Sequence, residues 1–147
     1  MSSFETINDV LVNLFNEIWE LEEKAIITEE FSDISNNDMH VIEAVGIGSG
    51  DKMTSIARKL NITVGSLTIA MNSLVKKGYV VRARSDIDRR VVNVKLTDKG
   101  VKAHEHHEEF HKQMVESVLK HLNEDETLVL TKSLKSLIVF FREYGKN

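Results

Sequence analysis

Apolar positions recur with helical spacing over most of this chain and switch to strand-like spacing over one short stretch. Between Phe4 and Ile27, Ile7, Leu11, Leu14, Ile18, Leu21 and Ala25 share a helical face, which Phe15, Trp19 and Ile26 widen. Glu29–Ile34 reads as a connector. Ser35 then offers an N-cap with Asp38 in the capping-box position, opening a helix with Met39, Ile42 and Val45 inside and Gly46, Gly48 and Gly50 after it. Thr54–Leu60 predicts a shorter helix closed by Asn61. Val64–Lys77 predicts the next, capped by Thr63 and stopped by Gly78, with Val64, Leu67, Met71 and Leu74 as its buried stripe. The β-branched runs Tyr79–Arg84 and Arg90–Leu96 predict a hairpin, and Lys52–Met53 a short third strand beside it.

After the hairpin, Thr97 caps a helix expected to reach about His121, with Val101, His104, His107, His111, Met114 and Val118 in line. Asn123, with Glu126 at the capping-box position, opens the last helix. Its main stripe is Leu130, Leu134, Leu137, Phe141 and Tyr144. The expected fold is mainly α with a small β-wing. Residues 35–96 form a winged helix-turn-helix lobe, and residues 1–28 and 97–147 form terminal dimerisation helices, all within one domain of 147 residues. The terminal helices carry more apolar surface than so small a lobe covers, and a second copy would bury it.

Charge sharpens this picture. Residues 52–102 hold 12 Lys and Arg against 3 Asp and Glu, a balance of +9, while the rest carries −13, together the −4 of the whole. A basic third in an acidic chain is the footprint of a phosphate-contacting surface. The chain has no cysteine, which excludes disulfides and thiol switching. Met1–Asn8 lacks a basic leader and no apolar run approaches a membrane span, so a cytoplasmic protein is expected.

On the outer face of Val64–Lys77, Asn72 is the candidate base reader, since a carboxamide can pair with adenine N6 and N7. Ile69, at the centre of that face, suits thymine methyls, and the two suggest an A/T-rich operator. Thr63, Ser66, Thr68 and Ser73 offer hydroxyls to bases or phosphates. Arg58, Lys76 and Lys77 are phosphate candidates, with Arg84, Arg89 and Arg90 in the wing. Asp88 is placed to stiffen the wing through Arg90. Two recognition helices in a homodimer would lie about 34 Å apart, one turn of duplex. Nucleophile elbow, P-loop and dinucleotide motifs are absent from the sequence, so no enzyme is expected.

The runs Leu60-Asn61-Ile62-Thr63-Val64, Leu74-Val75-Lys76-Lys77-Gly78-Tyr79-Val80, Arg84-Ser85-Asp86-Ile87-Asp88-Arg89-Arg90 and Leu96-Thr97-Asp98-Lys99-Gly100 closely resemble the MarR family of bacterial winged-helix regulators. Phe31–Ser35 with Met39–Ile42, the wing Arg84–Val92, and Phe110–Glu116 further resemble its fatty-acid-synthesis repressors from Firmicutes. That resemblance implies repression of fatty-acid-synthesis genes with long-chain acyl-acyl-carrier-protein as corepressor. Phe15, Ile18, Trp19, Met39, Ile42, Phe110 and Met114 are candidate lining for the acyl chain, and each also suits plain core packing. An acidic carrier calls for a basic surface. Glu105, Glu108 and Glu109 oppose docking on the fifth helix, and the basic lobe, including Arg82 and Lys102, is the alternative surface for that contact. A second reading uses His107 and His111, four apart on one helical face, with His40 and with Glu22 and Glu23, as zinc ligands. It resembles the zinc-responsive branch of the family. A third leaves the effector as another small ligand.

Overall fold

A computed structural model describes residues 1–26, 28 and 30–146. Ile27 and Glu29, at the expected helix end and connector start, lie outside the described residues. The chain divides into two compact units, Met1–Phe110 and His111–Asn147.

In the first unit, α1 (Ser3–Asp9) runs through a π-helical turn (Val10–Leu14) into α2 (Phe15–Ile26). Ser2 and Glu5 form a capping box at its start. The single amphipathic helix expected here is therefore interrupted. A π turn widens the i→i+4 ladder to i→i+5 and rotates the apolar stripe relative to an unbroken helix. Ile7, Leu11, Leu14 and Leu21 are exposed, and the buried positions of α2 are Glu22 and Ile26.

The capping box of Ser35 and Asp38 opens α3 (Asn36–Val45), whose Met39, Ile42 and Val45 are buried. The expected third strand is β1 (Asp51–Lys52), one residue earlier than the sequence suggests, because Met53 already opens α4 (Met53–Leu60). Asn61 closes α4 in the left-handed region at φ 54°, a conformation Asn tolerates better than most residues. Thr63 caps α5 (Val64–Lys77), its hydroxyl accepting the Ser66 N–H, and Gly78 ends it at φ 85°. Leu67, Met71 and Leu74 are wholly buried, each contributing about 1.5–3 kcal/mol. Val64 is exposed, contrary to expectation. Helical side chains lean toward the N-terminus, so that of the first residue overhangs the helix start.

The sheet has the order β1-β3-β2, all antiparallel, with β2 at Val80–Arg84 and β3 at Val92–Leu96. Both strands are shorter than expected: Tyr79 belongs to the turn after α5, and Arg90 and Val91 to the wing tip. Tyr79 is the joint of the unit. Its N–H donates to Leu74 O (3.0 Å), and its carbonyl accepts from the Thr97 N–H (3.0 Å). Its hydroxyl donates to Asp33 (2.6 Å), and the Lys99 ammonium lies 4.4 Å from its ring centroid. Thr97 also donates its hydroxyl to Gly78 O, tying the end of α5 to the start of α6 (Asp98–Lys120). Gly100 follows from this junction, because a Cβ there would sit 2.1 Å from Tyr79 O. The buried positions at the start of α6 are Gly100, Ala103 and His107, while Val101 and His104 are half-buried.

In the second unit, α7 (Glu124–Tyr144) starts at the Asn123–Glu126 capping box. Leu130, Leu134, Leu137, Phe141 and Tyr144 are exposed, with Phe140 packed edge-on to Phe141 and stacked near Tyr144. Among the described residues no helix is long and apolar enough to cross a membrane.

The Tyr79 hydroxyl, followed by the Lys99 charge, holds the Asp33 carboxyl below its usual range. A depressed folded-state value means that this contribution is complete above the unfolded value of about 3.9 and is lost as pH falls through the lower folded value. Tyr79→Phe should cost about 1–2 kcal/mol in urea unfolding at pH 7. The gap to wild type should narrow below pH ~4, as Asp33 protonates. A gap independent of pH would show that the charge on Asp33 plays no part.

Candidate nucleic-acid interface

Helix α4, the turn at Asn61 and α5 form a helix-turn-helix. The turn is closed by the Ile62 N–H donating to Ala57 O at 3.1 Å. Because α5 is anchored through Leu67, Met71 and Leu74, its opposite face is held outward. Ser66, Thr68, Ile69, Asn72 and Lys76 are exposed there, Ile69 at 75%, and Ser73 is half-buried. The hydroxyls differ in what they still offer. Thr63 donates to Ser66 Oγ (2.9 Å) while accepting the Ser66 N–H, and Thr68 donates to Val64 O (2.8 Å). Both threonine protons are thus committed within the helix, leaving acceptor lone pairs. Arg58 is exposed on α4. Lys77, considered with Lys76 for phosphate, instead pairs with Asp38 at 3.5 Å and braces α5 on α3.

The wing tip is closed by the Ser85 N–H donating to Val91 O (2.9 Å) and the Val91 N–H donating to Asp88 O (3.0 Å). Arg90 embraces Asp88, with Nε and Nη2 each 3.1 Å from a carboxylate oxygen and its backbone N–H 3.0 Å away. Those bonds, the guanidinium's first, hold the Asp88 carboxyl below its ordinary range. Arg90 is therefore a brace of the wing, as its spacing from Asp88 suggests. Arg84 and Arg89 are exposed and, among the described residues, make no ion pair. Ile87 stands 98% exposed at the tip.

Arg82, considered from the sequence only as a carrier contact, was not among the expected DNA-contacting residues. Its Nη2 donates to the Asn72 carboxamide oxygen at 2.5 Å, linking strand β2 to the outer face of α5. Strand alternation could have pointed to it, since Val80, Arg82 and Arg84 share one side of β2.

The expected effector residues are distributed unevenly. Met39 and Ile42 are closed within the core, Ile18 is half-buried, and Phe15 is 60% exposed. Trp19 stacks on His40, with ring centroids 5.4 Å apart. Phe110 is half-buried, and Met114 and His111 belong to the second unit. Of the histidines, His107 is buried with Nε2 2.7 Å from the Glu43 carboxylate, and His40 Nδ1 lies 3.7 Å from the same group. Within the first unit, Glu43 thus joins two of the imidazoles singled out from the sequence.

An anchored reading helix beside a basic hairpin is the layout of a winged helix-turn-helix protein. The MarR family model matches residues 32–91. The chain is similar to FabT of Streptococcus pneumoniae, solved in complex with DNA, with a TM-score of 0.89 and 36% identity over 97% of this chain and 99% of that one. It is 27% identical over 128 residues to the uncharacterized HTH-type transcriptional regulator YpoP of Bacillus subtilis, covering 86% of this chain and 74% of that protein. The S. aureus MepR–DNA complex shares the fold, with a TM-score of 0.66 at 22% identity over 86% of this chain and 94% of that one. The chain belongs to the MarR family. It is a transcriptional regulator of that family, and the Bacillus subtilis relatives it matches are named HTH-type transcriptional regulators.

Asp88→Asn removes the charge that Arg90 clasps. Backbone amide order parameters at Ile87 and Arg89 should fall from near 0.85 toward about 0.6, with the thermal midpoint almost unchanged. Unchanged order parameters would show that the wing is held without this clasp.

Proposed function

We propose that this chain is a homodimeric repressor of fatty-acid-synthesis genes. It binds a pseudo-palindromic, A/T-rich operator, with long-chain acyl-acyl-carrier-protein as corepressor. The observation that carries this reading is the 36% identity with FabT over nearly the whole of both chains. The wing and the Phe31–Ser35 and Phe110–Glu116 stretches resemble fatty-acid-synthesis repressors and add to it. The exposed outer face of α5 and the balance of +9 over residues 52–102 support duplex DNA as the partner. Exposed Phe4, Ile7, Leu11 and Phe15 on the first helices, and Leu134 and Phe141 on α7, support a second copy of the chain as the cover for these faces.

In this mechanism α5 of each copy enters a major groove while Arg84 and Arg89 of the wing reach phosphates or the neighbouring minor groove. The spacing of the two lobes sets whether both helices fit at once. The acylated carrier tightens binding by preferring the spacing that fits, since a ligand shifts an equilibrium only through its differential affinity for the two states. Within the first unit, the lining candidates with exposed or half-buried side chains are Trp19, Ile18 and Phe15 on α2 and Phe110 on α6; Met114, in the second unit, is half-buried as well. For Met39 and Ile42, which are fully enclosed, acyl entry would require the core to open.

Fluorescence anisotropy on an A/T-rich palindromic duplex from a fatty-acid-synthesis promoter tests this reading. Affinity should rise with long-chain acyl-carrier protein and stay unchanged with unacylated carrier or with zinc added after chelation. A response to zinc that His107→Ala abolishes would move the assignment to metal homeostasis. No response to the acylated carrier would overturn the corepressor. Arg89→Ala should weaken binding to every duplex and reduce the salt slope by about one phosphate contact. An unchanged slope would remove Arg89 from the phosphate-binding set.

A further inference from the structure

We infer that Arg82 and Asn72 act as one base-reading unit that selects a guanine in each half-site of an otherwise A/T-rich operator. The inference rests on the DNA-binding reading above and deepens it. It begins from one contact, Arg82 Nη2 to Asn72 Oδ1 at 2.5 Å, between two exposed side chains on different elements.

A guanidinium has five donors and no acceptor, so only the oxygen of the Asn72 carboxamide can face it. The carboxamide is planar, and its two ends diverge. With Oδ1 turned to Arg82, Nδ2 is left as the outward group, and it is a donor. Adenine recognition by Asn uses both ends, Oδ1 accepting from N6 and Nδ2 donating to N7. The contact with Arg82 takes one of the two Oδ1 lone pairs and fixes how the amide is presented, which weakens the two-ended match to adenine under Asn72.

What remains is a donor surface. Nδ2 of Asn72 and the N–H groups of Arg82 not engaged with Asn72 are all donors. In the major groove only guanine presents two adjacent acceptors, N7 and O6; adenine places a donor next to N7, and thymine a methyl next to O4. A cluster in which donors outnumber the one remaining acceptor lone pair therefore matches guanine better than adenine, whose N6 group is itself a donor.

The placement of Arg82 follows from the sheet. It pairs with buried Val94 across the ladder and lies on the same side of β2 as buried Val80. Val80 is the buried residue of β2 and Arg82 lies beyond it on the exposed part of the strand, where its guanidinium reaches Asn72 on α5. In this arrangement Arg82 is not a wing-tip phosphate contact like Arg89. It is a specificity residue that orients the amide of Asn72 and adds its own donors.

Selection from a library of duplexes with a randomised centre, read by sequencing the bound fraction, tests this for wild type, Asn72→Ala, Arg82→Ala, the double variant and Arg82→Lys. Wild type should enrich a pseudo-palindrome with a G·C pair in each half-site. Asn72→Ala and Arg82→Ala should relax that same position, lowering discrimination there by roughly 10-fold or more, and the double variant should be little worse than either single one. Arg82→Lys keeps the charge and loses the fork, so it should retain affinity without restoring discrimination. Both residues are exposed, so thermal midpoints should stay within a few degrees of wild type. Relaxation at different positions, selection of adenine at the shared one, or uniform loss of affinity restored by Arg82→Lys would overturn the inference and leave the DNA-binding reading intact. Failure of the wild type to enrich any sequence would overturn both.

Discussion

The outward face of α5 is useful only because its inward face is closed. Leu67, Met71 and Leu74 are wholly excluded from solvent, and these three side chains fix the rotation of the helix about its axis. A turn of even one residue would carry Asn72 away from Arg82 and bring Ile69 toward the core. The end of the helix is held as firmly. Gly78 turns the chain through the left-handed region, Tyr79 follows it into the core, and Thr97 bonds to both carbonyls. That junction sets the angle between the reading helix, the hairpin and α6. It also explains why Gly100 follows Thr97 by three residues: the first turn of α6 lies against Tyr79 O, and no side chain fits between them.

The wing answers a different physical problem. A hairpin meant to reach a polyanion must carry several cations, and cations on a short tip repel one another. Asp88 offsets this by binding Arg90 through two side-chain bonds and one backbone bond. The tip keeps its shape, and Arg84 and Arg89 remain directed at solvent. The histidine-bearing region is arranged on other terms, with the buried His107 imidazole and the half-exposed His40 ring both turned toward Glu43.

Much of this was readable in the sequence, and the reason is local. The bounds of α5 follow from Thr63, Gly78 and the period of Leu67, Met71 and Leu74. The brace in the wing follows from Asp88 and Arg90 lying two residues apart. The capping boxes at Ser35 and Asn123 each announce a helix. What could not be read depends on geometry beyond a few residues. The π turn at Val10–Leu14 breaks a period that looks continuous in one dimension, so Leu21 is exposed where Glu22 and Ile26 are buried. The exposure of Val64 reflects the overhang at a helix start. The contact between Arg82 and Asn72 joins residues 10 apart on a helix and a strand, and only the packed angle of α5 on the sheet reveals it.

In the proposed complex, two copies of α5 enter successive major grooves of one duplex, with the basic hairpins flanking them. Hydroxyl-radical footprinting on an A/T-rich pseudo-palindromic duplex from a fatty-acid-synthesis promoter measures this most directly. Two symmetric protected patches should appear with centres about 10 base pairs apart, each extended by protection from a wing. A single patch, or even protection without that period, would contradict this arrangement.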